Sequence, residues 1–168
     1  VGAGPGTATL GIARVLSAVP SMSAEITAVE RADTHREAYS FVVPRMLQSF
    51  GGNTKANKPQ ALDITKELPE GEFDLIICGN IINELTSLDL EGKANLLIEL
   101  SKHLTRDGNL VVLEPADLEN STALRNISRI AKEKGLTIYA PCNDIRGVPC
   151  KVSPCWTFKS YADIKPTR

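Results

Sequence analysis

The chain has 168 residues, is 42% hydrophobic, and carries 19 basic against 20 acidic residues for a formal charge of -1. That length suits one globular domain with its own core, and the charge balance excludes a global electrostatic attraction to nucleic acid or to an anionic membrane. No apolar run approaches the roughly 20 residues that span a bilayer, and the cysteines Cys78, Cys142, Cys150 and Cys155 are too few and too uneven for the disulfide framework of a small secreted domain. A soluble, cytoplasmic protein is the expectation.

The opening Val1-Gly2-Ala3-Gly4-Pro5-Gly6-Thr7 reads as a turn after a buried strand of which only Val1 stands in the sequence, so the first strand is expected to be truncated. From Thr7 to Val19, Leu10, Ile12, Ala13, Val15 and Leu16 recur at helical spacing until Pro20. Glu25 to Glu30 reads as a short buried strand. Asp33 is placed to cap a helix running through Tyr39, Phe41 and Val42 to Leu47, with Pro44 expected to kink or divide it. The polar stretch from Gly51 to Pro59 reads as a loop and Ala61 to Ile64 as a third strand.

After Pro69-Glu70-Gly71, the nearly continuous apolar run Phe73 to Cys78 suits a central parallel strand. Leu96, Leu97, Leu100 and Leu104 line one face of a helix from Leu90 to Leu104, which Asp107-Gly108 stops before a strand at Asn109 to Leu113. A helix from Ser121 to Lys134 ends at Gly135. Leu136 to Tyr139 and Trp156 to Tyr161 read as the last strands. Strands alternating with helices predict a doubly wound, mostly parallel α/β sheet of Rossmann-like type.

Glycines at positions 2, 4 and 6 let the backbone turn sharply after a strand and let a ligand come close. A dinucleotide fingerprint would need its third glycine at position 7, which is Thr7, and a phosphate-gripping loop would follow Gly6 with lysine, where Thr7-Ala8 stands. Val-Gly-Ala-Gly-Pro-Gly-Thr instead resembles the first motif of class I S-adenosylmethionine-dependent methyltransferases. That resemblance implies a cofactor site built from Gly2, Ala3, Gly4, Gly6 and Thr7. It also gives Glu30, with Arg31 beside it, the role of holding the ribose hydroxyls, and places Asp63 and Ile64 near adenine. The plainer alternatives are an exposed strand-end charge at Glu30 and a turn cap at Asp63.

Asn80, at the end of the fourth expected strand, completes the cofactor set. Asn80, Asn83 and Glu84 are the polar candidates for catalysis or substrate contact in Gly79-Asn80-Ile81-Ile82-Asn83-Glu84-Leu85. This run lacks the Asn-Pro-Pro-aromatic pattern of many amino-group methyltransferases, and Asn83 and Glu84 could equally cap the next helix. In-line methyl transfer needs positioning rather than a covalent intermediate, so no nucleophilic side chain is required.

Asn83-Glu84-Leu85, Leu113-Glu114-Pro115 and Ala140-Pro141-Cys142 together resemble the Rsm22-like family, methyltransferase-like proteins associated with the small ribosomal subunit. The resemblance implies rRNA or the small ribosomal subunit as partner and an iron–sulfur cluster in the cysteine segment. The family pattern commonly continues Pro-Cys-Pro-His where this chain has Pro141-Cys142-Asn143-Asp144.

Thiolates of Cys142, Cys150 and Cys155 are soft ligands suited to such a cluster or to zinc, with ordinary loop cysteines as the alternative. Cys78 reads as a core residue. Lys151, Lys159, Lys165 and Arg168, with Trp156 and Tyr161, form a segment able to meet RNA or simply to pack as a tail. The expected layout is a cofactor-binding domain over 1–140 with a cysteine-bearing extension over 141–168. A methyltransferase acting on a small-molecule acceptor and a non-catalytic, cluster-carrying ribosome assembly factor stay open beside the RNA-directed enzyme.

Overall fold

The computed structural model describes residues 1–19 and 21–140. Within them the chain is an α/β protein with four helices and two small parallel sheets of two strands each. Helix α1 covers Thr7–Ser17 and buries Thr9 and Ala13. It ends before the expected Val19, where the Ala18 amide bonds back to the carbonyl of Val15. Strand β1, Ser23–Ile26, pairs in parallel with β2, Asn53–Ala56.

β2 lies inside the stretch expected to be a loop, and the expected third strand at Ala61–Ile64 does not form. Asn-Thr-Lys-Ala has little intrinsic strand preference, and its pairing with β1 overrides that weak local signal. The pairing then resumes as a bridge between Val29 and Gln60, with the Glu30 amide donating to the Gln60 carbonyl at 3.0 Å. Beyond Gln60 the chain turns. The Asp63 carboxylate accepts from the Thr65 amide at 3.1 Å and the Thr65 hydroxyl at 2.7 Å, a local arrangement that competes with a strand ladder.

Helix α2, Asp33–Phe50, continues through Pro44, so of the two expected effects of the proline it does not show division. Asp33 is its first residue rather than its cap; Ala32 occupies the cap position, and the Asp33 carboxylate pairs with Arg36. Helices α1 and α2 pack on each other and on the β1–β2 pair. Between them Ala28, Tyr39 and Val43 are buried with Ala3, Leu10, Leu47 and Ala56 around them.

Strand β3, Phe73–Gly79, pairs in parallel with β4, Leu104–Leu113, in the register Leu75↔Asn109 to Gly79↔Leu113. β4 thus starts earlier than expected and absorbs Asp107-Gly108 as an irregularity opposite Phe73. Gly108 is suited to it, since a Cβ there would lie 2.9 Å from the Phe73 carbonyl oxygen. Helix α3, Leu90–Ser101, stops short of Leu104, because Leu104 already belongs to β4.

Helix α4, Leu118–Glu133, begins ahead of Ser121 because the Asp117 carboxylate caps it through the Asn120 amide at 2.9 Å. Leu136 is no strand residue: its amide bonds to the Ala131 carbonyl at 3.0 Å, and Gly135, with φ of +103°, makes the left-handed turn that closes α4. The segment 136–139 forms no ladder among the described residues, and Tyr139 is exposed. The expected strand at Trp156–Tyr161 lies outside the described residues.

The larger core joins Val29, Ile64, Ile76, Cys78 and Ile82 to Ala94, Leu96, Leu97 and Leu100 of α3 and to Ile127 and Ala131 of α4. The opening residues lie between the two strand pairs: the Val1 nitrogen donates to the Ile77 carbonyl at 2.7 Å and the Ala3 amide to the Val29 carbonyl at 3.0 Å. Each pair is parallel, and the opening segment runs along both, from Ile77 at Val1 to Ile81 at Gly2 and from Val29 at Ala3 to Glu30 at Gly4, so the carboxyl ends of the two pairs face one edge. There Gly79-Asn80 and Leu113-Glu114 emerge, close to the glycine loop. No helix among the described residues is long and apolar enough to cross a membrane.

Candidate functional site

The glycine loop is shaped by backbone conformations that side chains resist. Gly2, Gly4 and Gly6 all have positive φ, at +63°, +51° and +106°. Gly2 also faces the Ile81 side chain, and a Cβ at Gly6 would lie 2.3 Å from Cγ2 of the fully buried Val43. At Gly4 nothing lies within 4 Å of where a Cβ would stand, so this middle glycine borders open space. The Gly6 amide closes the turn on the Ala3 carbonyl at 3.0 Å, and Thr7 then opens α1. No side chain caps α1, so the partial positive charge of its N-terminus lies at the loop.

Glu30 lies against this loop. Its Oε2 accepts from the Gly4 amide at 2.9 Å, and its Oε1 accepts from the Ala32 amide at 2.8 Å with His35 Nδ1 at 3.8 Å. The side chain is 11% exposed, so the exposed strand-end charge weighed from the sequence does not describe it. A carboxylate offers about four lone-pair positions, and these amides occupy two. Arg36 donates to the Glu30 carbonyl at 3.0 Å and steadies the same corner.

Arg31 is mostly exposed, with Nη1 3.9 Å from Asp63 Oδ2, so the ends of the two segments that follow β1 and β2 meet here. Asp63 shapes its own turn. Its bonds from the Thr65 hydroxyl, then from the Thr65 amide, hold its carboxyl below the usual carboxylate range, with Lys66 adding to the effect. Ile64, beside it, is 7% exposed and packs in the larger core.

On the far side of the loop, Asn80 is exposed and left-handed at φ +51°, the one described residue other than glycine with positive φ. Its amide donates to the Leu113 carbonyl at 2.8 Å. Asn83 and Glu84 do not cap the following helix, because Asp89 does so through the Gly92 amide at 2.7 Å. Instead Glu114 reaches across from the end of β4: Oε1 accepts from the Ile82 amide at 2.9 Å and Oε2 from the Asn83 amide at 3.1 Å. The Asn83 carboxamide oxygen is buried without a hydrogen-bond partner among the described residues.

Glu114 was not singled out as a site residue from the sequence. The available signal was a carboxylate directly after a strand and before Pro115, at the same sheet edge as Asn80. His35 likewise gained its place beside Glu30 only through the fold.

Cys78 is fully buried in β3, and loss of hydration pushes its thiol up to about 11, with the nearby Glu114 charge acting in the same direction. It is a neutral core thiol and an unsuitable metal ligand. Cys142, Cys150 and Cys155 lie outside the described residues, and among the described residues no group of three His, Cys, Asp or Glu side chains is arranged to hold a metal.

The class this arrangement defines is an α/β protein with a glycine loop and two amide-bound carboxylates at the carboxyl edge of parallel strands. Among known proteins, no family model matches the chain, and neither does any curated protein or solved structure.

Proposed function

We propose that this chain binds S-adenosylmethionine in the glycine loop and acts as the methyltransferase domain of a Rossmann-like, doubly wound protein. The observation that carries this reading is the Gly4–Glu30 contact, in which a carboxylate just past the Val29–Gln60 bridge is bonded at 2.9 Å to the middle of a loop of three positive-φ glycines. The loop's alternating glycines and the helix start at Thr7 suit a nucleoside with a charged amino-acid tail, while the lone pairs left on Glu30 suit paired ribose hydroxyls. Arg31 and Asp63 border the adenine end, and Asn80 closes the other side. The residues fit the cofactor in donor and acceptor character.

When bound, the cofactor supplies an activated methyl group; the chain's part is to bind it and hold it in line with an acceptor. The acceptor we propose is RNA of the small ribosomal subunit, on the strength of the motif likeness, with the protein placed in the cytoplasm. The cysteine segment is proposed to carry an iron–sulfur cluster or zinc.

Titration calorimetry with S-adenosylmethionine tests the cofactor reading. The parent chain is expected to bind in the micromolar range, and Gly4→Arg, which fills the open space at the loop's middle, to bind at least about a hundredfold more weakly, a difference of about 2.7 kcal/mol. A parent chain that takes up no heat, or a Gly4→Arg variant with parental affinity, contradicts it.

A further inference from the structure

The glycines account for one wall of the proposed site but not for the facing one. The turn that follows β3 has no glycine after Gly79, yet it adopts a left-handed residue at Asn80 and lays Ile81 against Gly2, where an added Cβ would lie 2.9 Å from the Ile81 Cβ. Two successive amides of this turn, Ile82 and Asn83, converge on the two oxygens of Glu114 at 2.9 and 3.1 Å. Successive amides aimed at one point form an anion-binding nest, and the protein fills this one with its own carboxylate from a neighbouring strand. Bonds from amides to an ionised acceptor are stronger than neutral ones, and the Leu113 carbonyl adds a further tie at Asn80.

One atom of the clamped turn is left over. The carboxamide oxygen of Asn83 is buried without a partner among the described residues. A buried acceptor left unsatisfied costs about 1–3 kcal/mol, so the turn depends on the Glu114 bonds to hold its shape.

We infer that Glu114 is a positioning residue of the cofactor site: by clamping the 80–83 turn it holds Ile81 against Gly2 and so fixes the wall that faces the glycine loop. This rests on the S-adenosylmethionine reading above.

The test compares the parent 168-residue chain with Glu114→Gln, using S-adenosylhomocysteine as the probe. The substitution keeps the side-chain length but sets an NH2 group against one of the two amide donors. Amide hydrogen exchange at Ile82 and Asn83 is expected to quicken while the urea midpoint of the whole chain changes little, and the dissociation constant is expected to rise about tenfold, equivalent to about 1.4 kcal/mol. Ile81→Ala, which leaves the clamp in place but removes the side chain facing Gly2, is expected to weaken the probe about fivefold with parental exchange at Ile82, a readout that a purely structural role for Glu114 would not move.

Should Glu114→Gln fail to fold, Glu114→Asp, one methylene short of spanning both amides, is expected to lose about threefold in affinity. A parent that binds the probe, together with a released turn that binds it equally well, overturns this inference alone. A parent that does not bind overturns the proposed function and this inference together.

Discussion

The two walls of the candidate site reach similar ends by different means. In the first, the backbone shape is permitted by residue type: three glycines adopt positive φ, and Glu30 ties the middle one to the end of the β1 segment. In the second, the shape is imposed from outside. One asparagine adopts positive φ, and Glu114 holds two amides from a strand more than thirty residues away in sequence. A carboxylate bonded to two backbone amides appears in both, at Glu30 and at Glu114. A loop built from glycines announces itself in the sequence, whereas a loop held by a distant side chain does not.

Substitutions sharpen that contrast, starting with the strongest effect. Gly6→Ala combines an unfavourable φ with a methyl 2.3 Å from buried Val43 Cγ2, and is expected to destabilise the chain by about 3 kcal/mol in urea unfolding. Gly4→Ala, also left-handed but facing open space, is expected to lose only about 1 kcal/mol. Equal losses at the two positions would break the claim that Gly6 is held by packing and Gly4 by backbone conformation alone.

In the clamped turn, Asn80→Val is expected to cost about 1.5 kcal/mol because a β-branched residue is poorly accommodated at φ +51°. Asn80→Gly is expected to fall within about 0.5 kcal/mol of the parent, as the gain in permitted φ is offset by a more flexible unfolded chain. A tolerated valine would show that the turn is not held left-handed.

The smallest effect is a pH dependence at Asp63. Bonds from Thr65 favour its ionised form in the fold, so its contribution to stability is present above the ordinary carboxylate range and fades as pH falls through its lowered folded value. An NMR titration of the Asp63 carboxyl is expected to give a midpoint below that of an unstructured aspartate, and Thr65→Ala to move it upward. A midpoint unchanged by Thr65→Ala would remove the Thr65 bonds as its cause.

The same contrast explains what could be read from the sequence. Helical periodicity located α1, α2, α3 and α4 to within a few residues, and the apolar run Phe73 to Cys78 marked β3, because burial is written into side-chain chemistry at a regular period. Asn53–Ala56 was illegible as a strand because its polarity says loop and only its partner β1 makes it pair. Ala61 to Ile64 misled for the opposite reason: its apolar residues are real core contributors, with Ile64 buried, but Asp63 and Thr65 commit the backbone to a turn.

Leu136 gave a similar false strand, since its burial serves the closing turn of α4. At the site, Gly2, Gly4, Gly6 and Glu30 were visible as a set. Glu114 was hidden because the turn it holds has no glycine after Gly79 to mark it, whereas Glu30 follows a glycine motif at a recognisable spacing.

The loop of residues 2–6 and the Glu30 carboxylate are proposed to receive one adenosyl ligand between them. Backbone amide shifts of the chain, recorded during titration with S-adenosylhomocysteine, test it most directly. Saturable shifts are expected, centred on Gly4, Glu30 and Ala32 and extending to Asn80 and Asn83, together with their loss in Glu30→Ala. Shifts that avoid the glycine loop, or that persist undiminished in Glu30→Ala, would contradict it.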